Sequence, residues 1–143
     1  MSRVLIAVIS VVVWLAAGQS AAQEKKLNAS GGWVKLPAAA DTQAMAFATV
    51  ENPTSYVVYV VKATADVAGN VELRDGSLAG DASLKPAEFL TAPAYESLTM
   101  GPKGGHLMLL DLKRPLKEGD TVAITLTTDS GEALQVRATV KKD

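Results

Sequence analysis

The sequence predicts an all-β domain, an antiparallel β-sandwich with Greek-key connections. Two observations support this prediction. Roughly eight short segments, several of them rich in β-branched and aromatic residues, are separated by turn signals, and none of them has convincing helical periodicity. The chain also contains no cysteine, so that a packed apolar core rather than disulfides must stabilise the domain.

The first 22 residues have the features of a secretory signal peptide. Arg3 supplies one positive charge, residues 4–17 are apolar, and the small residues Ser20 and Ala22 precede a predicted cleavage between Ala22 and Gln23. An uncleaved anchor is the alternative, although the apolar run is short for a membrane span. Because no cysteine lies near the cleavage position, we expect no lipid anchor.

The remaining chain is long enough for one domain. Residues 23–30 are polar and small and predict a flexible lead-in, and residues 31–143 predict the sandwich itself. The full chain carries 14 Lys and Arg against 15 Asp and Glu, a formal net charge of −1. This balance does not indicate binding to nucleic acid or to a lipid surface. We expect a periplasmic monomer.

The predicted strands follow one another with short connections. They cover residues 33–36, 44–50, 56–64, 71–75, 96–100, 106–111, 121–127 and 133–140. A helix over residues 41–50 is the alternative for the alanine-rich second segment, but the turn at Asn52-Pro53 favours a strand. Residues 68–70 predict a turn, and residues 76–91 predict a long surface excursion of the kind that is often functional.

Enzymatic chemistry has little support in this sequence. The chain has one histidine, no cysteine and no Gly-x-Ser-x-Gly motif, so that the groups of a catalytic triad are missing. The acids Asp75, Asp81, Glu96 and Asp111 have no distinctive spacing. Phosphate-binding loops and zinc-type ligand pairs are also absent. The sequence therefore predicts a protein that is not an enzyme.

His106 and Met108 are the candidate ligands that the residues themselves indicate. On a β-strand, side chains at i and i+2 project from the same face, so that the imidazole and the thioether can converge on one point. This donor pair suits Cu(I) and suits Zn(II) badly. The alternative is that Met108 packs the core and His106 ends a strand beside a glycine turn.

The run from Pro102 to Thr127, together with Trp33, Glu51-Asn-Pro53 and Val71-Glu-Leu73, resembles the periplasmic copper chaperone family PCu(A)C. The run nearly matches Pro-x-Gly-Gly-x-His-x-Met-Leu-x-x-Leu-x-x-Pro-Leu-x-x-Gly-Asp-x-Val, with one residue fewer before His106. The resemblance covers residues 33–140. It implies a cupredoxin-like sandwich that carries Cu(I) outside the inner membrane, typically towards the assembly of the cytochrome oxidase copper centre.

The same resemblance implies two upstream ligands, and this sequence has neither of them. The family's upstream histidine position holds Arg74, and the methionine position holds Leu84. Neither side chain can ligate a metal, since the guanidinium stays protonated and leucine has no lone pair. Met100 and Met45 are possible extra donors, although core packing is the expected role of both. A further hypothesis pairs Arg74 with Asp75 or with a partner's carboxylate.

Two functions follow from this resemblance. The first is an exported copper-binding chaperone that would deliver Cu(I) to a copper-accepting periplasmic or membrane-anchored protein. The second is a periplasmic interaction module that kept the fold and lost the copper site. The fold supports both functions equally.

Overall fold

The computed structural model describes residues 26–142 and is almost entirely β-structure. The nine strands are β1 (Asn28–Lys35), β2 (Ala44–Glu51), β3 (Val58–Ala65), β4 (Ala68–Asp75), β5 (Leu90–Ala92), β6 (Ser97–Thr99), β7 (Gly105–Leu112), β8 (Thr121–Thr128) and β9 (Ala133–Lys141). One short 3-10 helix, Gly80–Leu84, lies between β4 and β5. No helix in the described part of the chain is long and apolar enough to cross a membrane. The all-β prediction is confirmed.

The strands form one sheet that bends back on itself. Their order is β4-β7-β2-β1-β9-β8-β3-β5, and β6 pairs with the far end of β2. Strand β4 at one end of this order packs against β3 and β5 at the other end, so that the sheet closes into a barrel-like sandwich. All pairs are antiparallel except β1 with β9, which is parallel. That parallel pair is the one departure from the predicted antiparallel arrangement.

The core lies inside this closed sheet and is built by alternation along the strands. In β9, every second residue from Leu134 to Val140 is buried while its neighbours are exposed. This two-residue period is the pattern of a strand with one face on the core. Strand β2 is buried along most of its length on both faces, as predicted, and the helix alternative for this segment is wrong.

Strand β1 begins earlier than the sequence predicts. Residues 28–30 belong to the predicted lead-in, but they pair with the end of β2. The strand passes through Gly31 and Gly32 with a shift of register between Ser30 and Trp33, and Gly31 has a φ of +62°. Glycine adopts this conformation without the steric cost of a Cβ atom, so that the chain bulges here instead of ending the strand.

Two other predicted boundaries are wrong. Residues 68–70 are the extended start of β4, and the chain turns instead at residues 66–67. The surface excursion predicted for residues 76–91 is found as far as residue 89 and contains the 3-10 helix, but it ends earlier than predicted because β5 begins at Leu90. The predicted signal peptide, residues 1–22, and its cleavage between Ala22 and Gln23 lie outside the described residues.

Candidate metal centre

Strand β7 places His106 and Met108 on the same face of the sheet, as their spacing predicts. The residues between and after them, Leu107 and Leu109, point into the core and are fully buried. This apolar anchoring fixes the register of the strand, because a shift by one residue would turn both leucines outward. His106 is buried with 5% of its surface exposed, and Met108 is half-buried.

A hydrogen bond fixes the orientation of the His106 ring. Its Nδ1 atom lies 3.0 Å from the carbonyl oxygen of Gly104. Because a carbonyl can only accept, Nδ1 carries the hydrogen, and the lone pair of the neutral ring is on Nε2. No buried side-chain nitrogen or oxygen between residues 26 and 142 lacks a hydrogen-bond partner, so that Nε2 retains access to solvent. A metal-binding histidine has this arrangement, with one nitrogen anchored and the other available.

The Gly104 carbonyl is itself held by the chain that follows β4. The backbone N–H of Gly76 donates to it at 2.8 Å. A Cβ atom on Gly76 would lie 2.6 Å from the carbonyl oxygen of Pro102 and 3.3 Å from that of Gly104. Only glycine therefore permits the close approach of β4 to the turn that orients His106.

A row of aromatic rings supports His106 on the β2 side. The ring centroid of Phe47 lies 6.2 Å from that of His106, and the Trp33 ring lies 4.5 Å from Phe47. The Lys141 ammonium stands 5.0 Å from the centre of the Trp33 ring, a distance typical of a cation–π contact. The imidazole is thus packed against an aromatic side chain on the β2 side of the sheet.

An ion pair covers the β4 side of the candidate centre. Arg74 pairs with His106 across the ladder, and Glu72 pairs with Met108. The Arg74 Nη2 atom donates to Glu72 Oε2 at 2.9 Å, and Nε donates to the same oxygen at 3.3 Å. The side chains are 15% and 23% exposed. Arg74 therefore lies beside His106, with its charge compensated by Glu72.

The hypothesis that Arg74 pairs with Asp75 is wrong. Asp75 accepts hydrogen bonds from the hydroxyl and the backbone N–H of Ser77. These bonds hold the pKa of Asp75 below its ordinary value, and the nearby His106 adds a smaller lowering. Adjacent residues of a strand point to opposite faces, which directs Asp75 away from its neighbour Arg74.

The remaining predicted positions lie in three different environments. Leu84 ends the 3-10 helix and is 65% exposed. Met100 is buried in the core, the packing role expected of it. Met45 is half-buried in β2 and is the direct cross-strand partner of Met108. Among residues 26–142, no group of three or more His, Cys, Asp and Glu side chains is arranged to hold a metal ion.

Comparison with known proteins identifies the family. Residues 27–140 match the family described as "Putative lipoprotein LpqE-like". The chain belongs to the LpqE-like family. A curated relative from Leifsonia xyli subsp. xyli, "Putative lipoprotein Lxx21020", is 32% identical over 121 residues, which cover 83% of this chain and 72% of the relative.

Solved structures relate this LpqE-like chain to copper proteins. The Cu(I) form of DR1885 from Deinococcus radiodurans is 34% identical, with a TM-score of 0.68 over 89% of this chain and 87% of that one. The apo PCuAC domain from PmoF1 is 21% identical, with a TM-score of 0.73 over 82% of this chain and 95% of that domain. The predicted relationship to PCu(A)C proteins and the cupredoxin-like fold are confirmed.

Three residues around His106 in the LpqE-like chain were not identified from the sequence. Glu72 could have been found from strand alternation, since it lies two residues before Arg74 on the same face. Phe47 and Gly76 gave no comparable signal. Their roles depend on which strands become neighbours, which the local sequence does not encode.

Proposed function

We propose that the protein binds Cu(I) at the outer face of β7 and carries it as cargo. The observation that supports this most directly is the orientation of His106, whose Nδ1 donates to Gly104 and whose Nε2 therefore has the lone pair that a metal requires. Met108 adds a thioether on the same face two residues further along the strand. Both donors are neutral and of the kind that suits reduced copper.

The donor set fits the monovalent ion. Thioether sulfur and imidazole favour reduced copper, whereas hard dications prefer carboxylate and carbonyl oxygens. The one carboxylate that faces Met108 belongs to Glu72 and is already paired with Arg74. Zinc requires three or four nitrogen, thiolate or carboxylate ligands, and this face does not offer them. The geometry therefore supports a role in copper binding, and we propose no catalytic reaction.

The relatives support an exported protein of the copper-chaperone type. The names of the family and of the Leifsonia relative include the word lipoprotein, and two solved neighbours are a copper-bound PCuAC domain and Cu(I)-DR1885. We propose that the chain acts in the periplasm as a monomer and delivers Cu(I) to a membrane-anchored acceptor, with cytochrome oxidase assembly as the destination. Because the sequence has no cysteine, we also predict that the exported form carries no lipid, which intact-mass measurement would test.

The test is a Cu(I) titration of residues 23–143 under reductant with a competing chromogenic chelator. We expect one equivalent to bind, and His106→Ala and Met108→Leu to weaken binding at least about tenfold each, a loss of about 1.4 kcal/mol. Zn(II) should compete poorly. If the wild-type protein binds no more tightly than the two variants, the proposal is wrong.

The second candidate is an interaction module without a metal. The ion pair between Arg74 and Glu72 supports it. This pair lies beside His106 and Met108, and Arg74 occupies a position where the resemblance implies a metal ligand. In that case the wild-type protein and His106→Ala would be indistinguishable in the titration.

A further inference from the structure

Strand β2 brings a third soft donor to the candidate centre. In the β2–β7 ladder, Met45 lies directly opposite Met108. Side chains of directly opposed residues project from the same face, with Cβ atoms about 4.5–5.5 Å apart. Met45, Met108 and His106 therefore share one face of two adjacent strands.

We propose that Met45 is the third ligand of the copper site, so that one Cu(I) ion is held by two thioether sulfurs and the Nε2 atom of His106. This inference rests on the proposed function and specifies its ligand set. In this ligand set, Met45 takes the place of the upstream ligands, whose positions hold Arg74 and Leu84. Met45 is on β2, on the other side of β7 from Arg74.

Outside the β2 flank, the other candidate positions offer no accessible soft donor. Arg74 and Glu72 are bound to each other at 2.9 Å, with 15% and 23% of their side chains exposed. Leu84 is 65% exposed and has no lone pair. Met100 is buried in the core with only 6% of its surface exposed. Of these four side chains, only Glu72 has unengaged lone pairs near the outer face, on Oε1, and a carboxylate oxygen is a harder donor than Cu(I) prefers.

The β2 flank has both a donor and space. Met45 and Met108 together line a surface cavity of about 310 Å³ that is open to solvent. Each thioether has three rotatable side-chain bonds, so that both sulfurs can turn towards one point. His106 lies diagonally from Met45, about 7–8 Å away along this ladder, which is still within reach of long side chains. The cavity gives an ion a route to the two sulfurs from outside.

The charged groups at the cavity do not prevent a monovalent ion from entering. Lys35 and Asp41 both line it, so that the two opposite charges offset each other. The site itself then consists of neutral ligands. With three neutral ligands, bound Cu(I) keeps a net charge of +1. Arg74 repels this charge less than it would repel the +2 charge of a dication.

A methionine-to-leucine substitution separates ligation from packing. Leucine keeps an apolar side chain of similar volume and removes the sulfur lone pairs, and such volume-conserving replacements usually alter stability little. Met100→Leu is the matched control, because Met100 is a core residue. If Met45 only packs against Met108, Met45→Leu and Met100→Leu will behave alike.

The experiment measures Cu(I) affinity by chelator competition for the full secreted chain, with thermal unfolding to confirm that each variant is folded. We expect Met45→Leu to weaken Cu(I) at least about tenfold and Met100→Leu to leave affinity unchanged. X-ray absorption of the copper-loaded protein should show two sulfur neighbours and one nitrogen in the wild type, and one sulfur in Met45→Leu.

The outcomes distinguish this inference from the function on which it rests. Wild-type binding that Met108→Leu weakens and Met45→Leu does not would overturn the role of Met45 and leave the proposed function standing. A single sulfur neighbour in the wild type would overturn it as well. Absence of Cu(I) binding in the wild type would overturn both.

Discussion

The ion pair beside His106 should set the copper affinity through its two opposite charges. Removing the carboxylate with Glu72→Gln leaves the Arg74 cation uncompensated next to the bound ion, and removing the cation with Arg74→Gln leaves the anion. We therefore expect Glu72→Gln to weaken Cu(I) binding and Arg74→Gln to strengthen it. The double variant should return close to the wild-type affinity.

The magnitude follows from the ladder geometry. Both residues lie opposite the ligands on the adjacent strand, which places their charges about 7 Å from the ion. A unit charge at that distance contributes about 0.6 kcal/mol in water and about 2.4 kcal/mol at an effective dielectric constant of 20. Because both side chains are partly exposed, screening favours the lower end. We expect shifts of about threefold to tenfold in each direction.

The assay is chelator competition at two ionic strengths, with Arg114→Gln as the control. Arg114 forms a comparable 3.0 Å ion pair with Asp120. Arg114 follows the end of β7 at Leu112, which is four strand residues, or about 13 Å, past Met108. This distance exceeds the Debye length at physiological salt. If Glu72→Gln and Arg74→Gln shift the affinity in the same direction, or if neither shifts it at low salt, the electrostatic argument fails.

Three further predictions concern the fold. Gly76→Ala places a methyl group against the Pro102 carbonyl and should lower stability by about 1–3 kcal/mol while weakening Cu(I) binding, as measured by urea unfolding and titration. Asn52→Ala removes the donor from the buried Ala92 carbonyl and one of two donors from the Tyr56 carbonyl, and should cost about 1–3 kcal/mol in urea unfolding without altering copper affinity. Asp120 has a pKa lowered by the Lys117 backbone N–H, so that its stabilisation is present above the ordinary aspartate pKa and disappears as pH falls through the lowered value. Asp120→Asn should therefore destabilise the protein at neutral pH, with a smaller loss at an acidic pH below the ordinary aspartate pKa.

Controls for these variants come from the same elements. Gly101→Ala has no atom within 4 Å of the new methyl group, so that a loss equal to that of Gly76→Ala would contradict the steric explanation. An unchanged unfolding midpoint for Asn52→Ala would show that the carbonyls find other partners. An equal loss at both pH values for Asp120→Asn would indicate lost packing rather than titration.

The sequence predicted strands well where burial alternates or is continuous. Strands β2, β8 and β9 carry apolar side chains at core positions, and these positions specify extended structure locally. The first residues of β1 are polar and small, and they are held by backbone pairing with β2, which leaves no periodic signal. The parallel pairing of β1 with β9 joins the two ends of the domain, and no local pattern encodes it.

The candidate site was predictable in one strand and not across strands. That His106 and Met108 share a face follows from the two-residue period of a strand. The same period puts Glu72 and not Asp75 on the face of Arg74, so that Glu72 could have been predicted as its partner. The pairing of Met45 with Met108 depends on the order of strands and on the register between them. Those are set by the packing of the whole sheet, which is why Met45 was expected to be a core residue.

The row of rings that ends at His106 has an optical consequence. Trp33 is the only tryptophan in the described part of the chain, and its indole is separated from the imidazole by the single ring of Phe47. Arrival of a metal at His106 should change the fluorescence of this indole without any attached dye. Stopped-flow emission would then follow loading and release in real time, and transfer to an acceptor protein could be timed from the donor side.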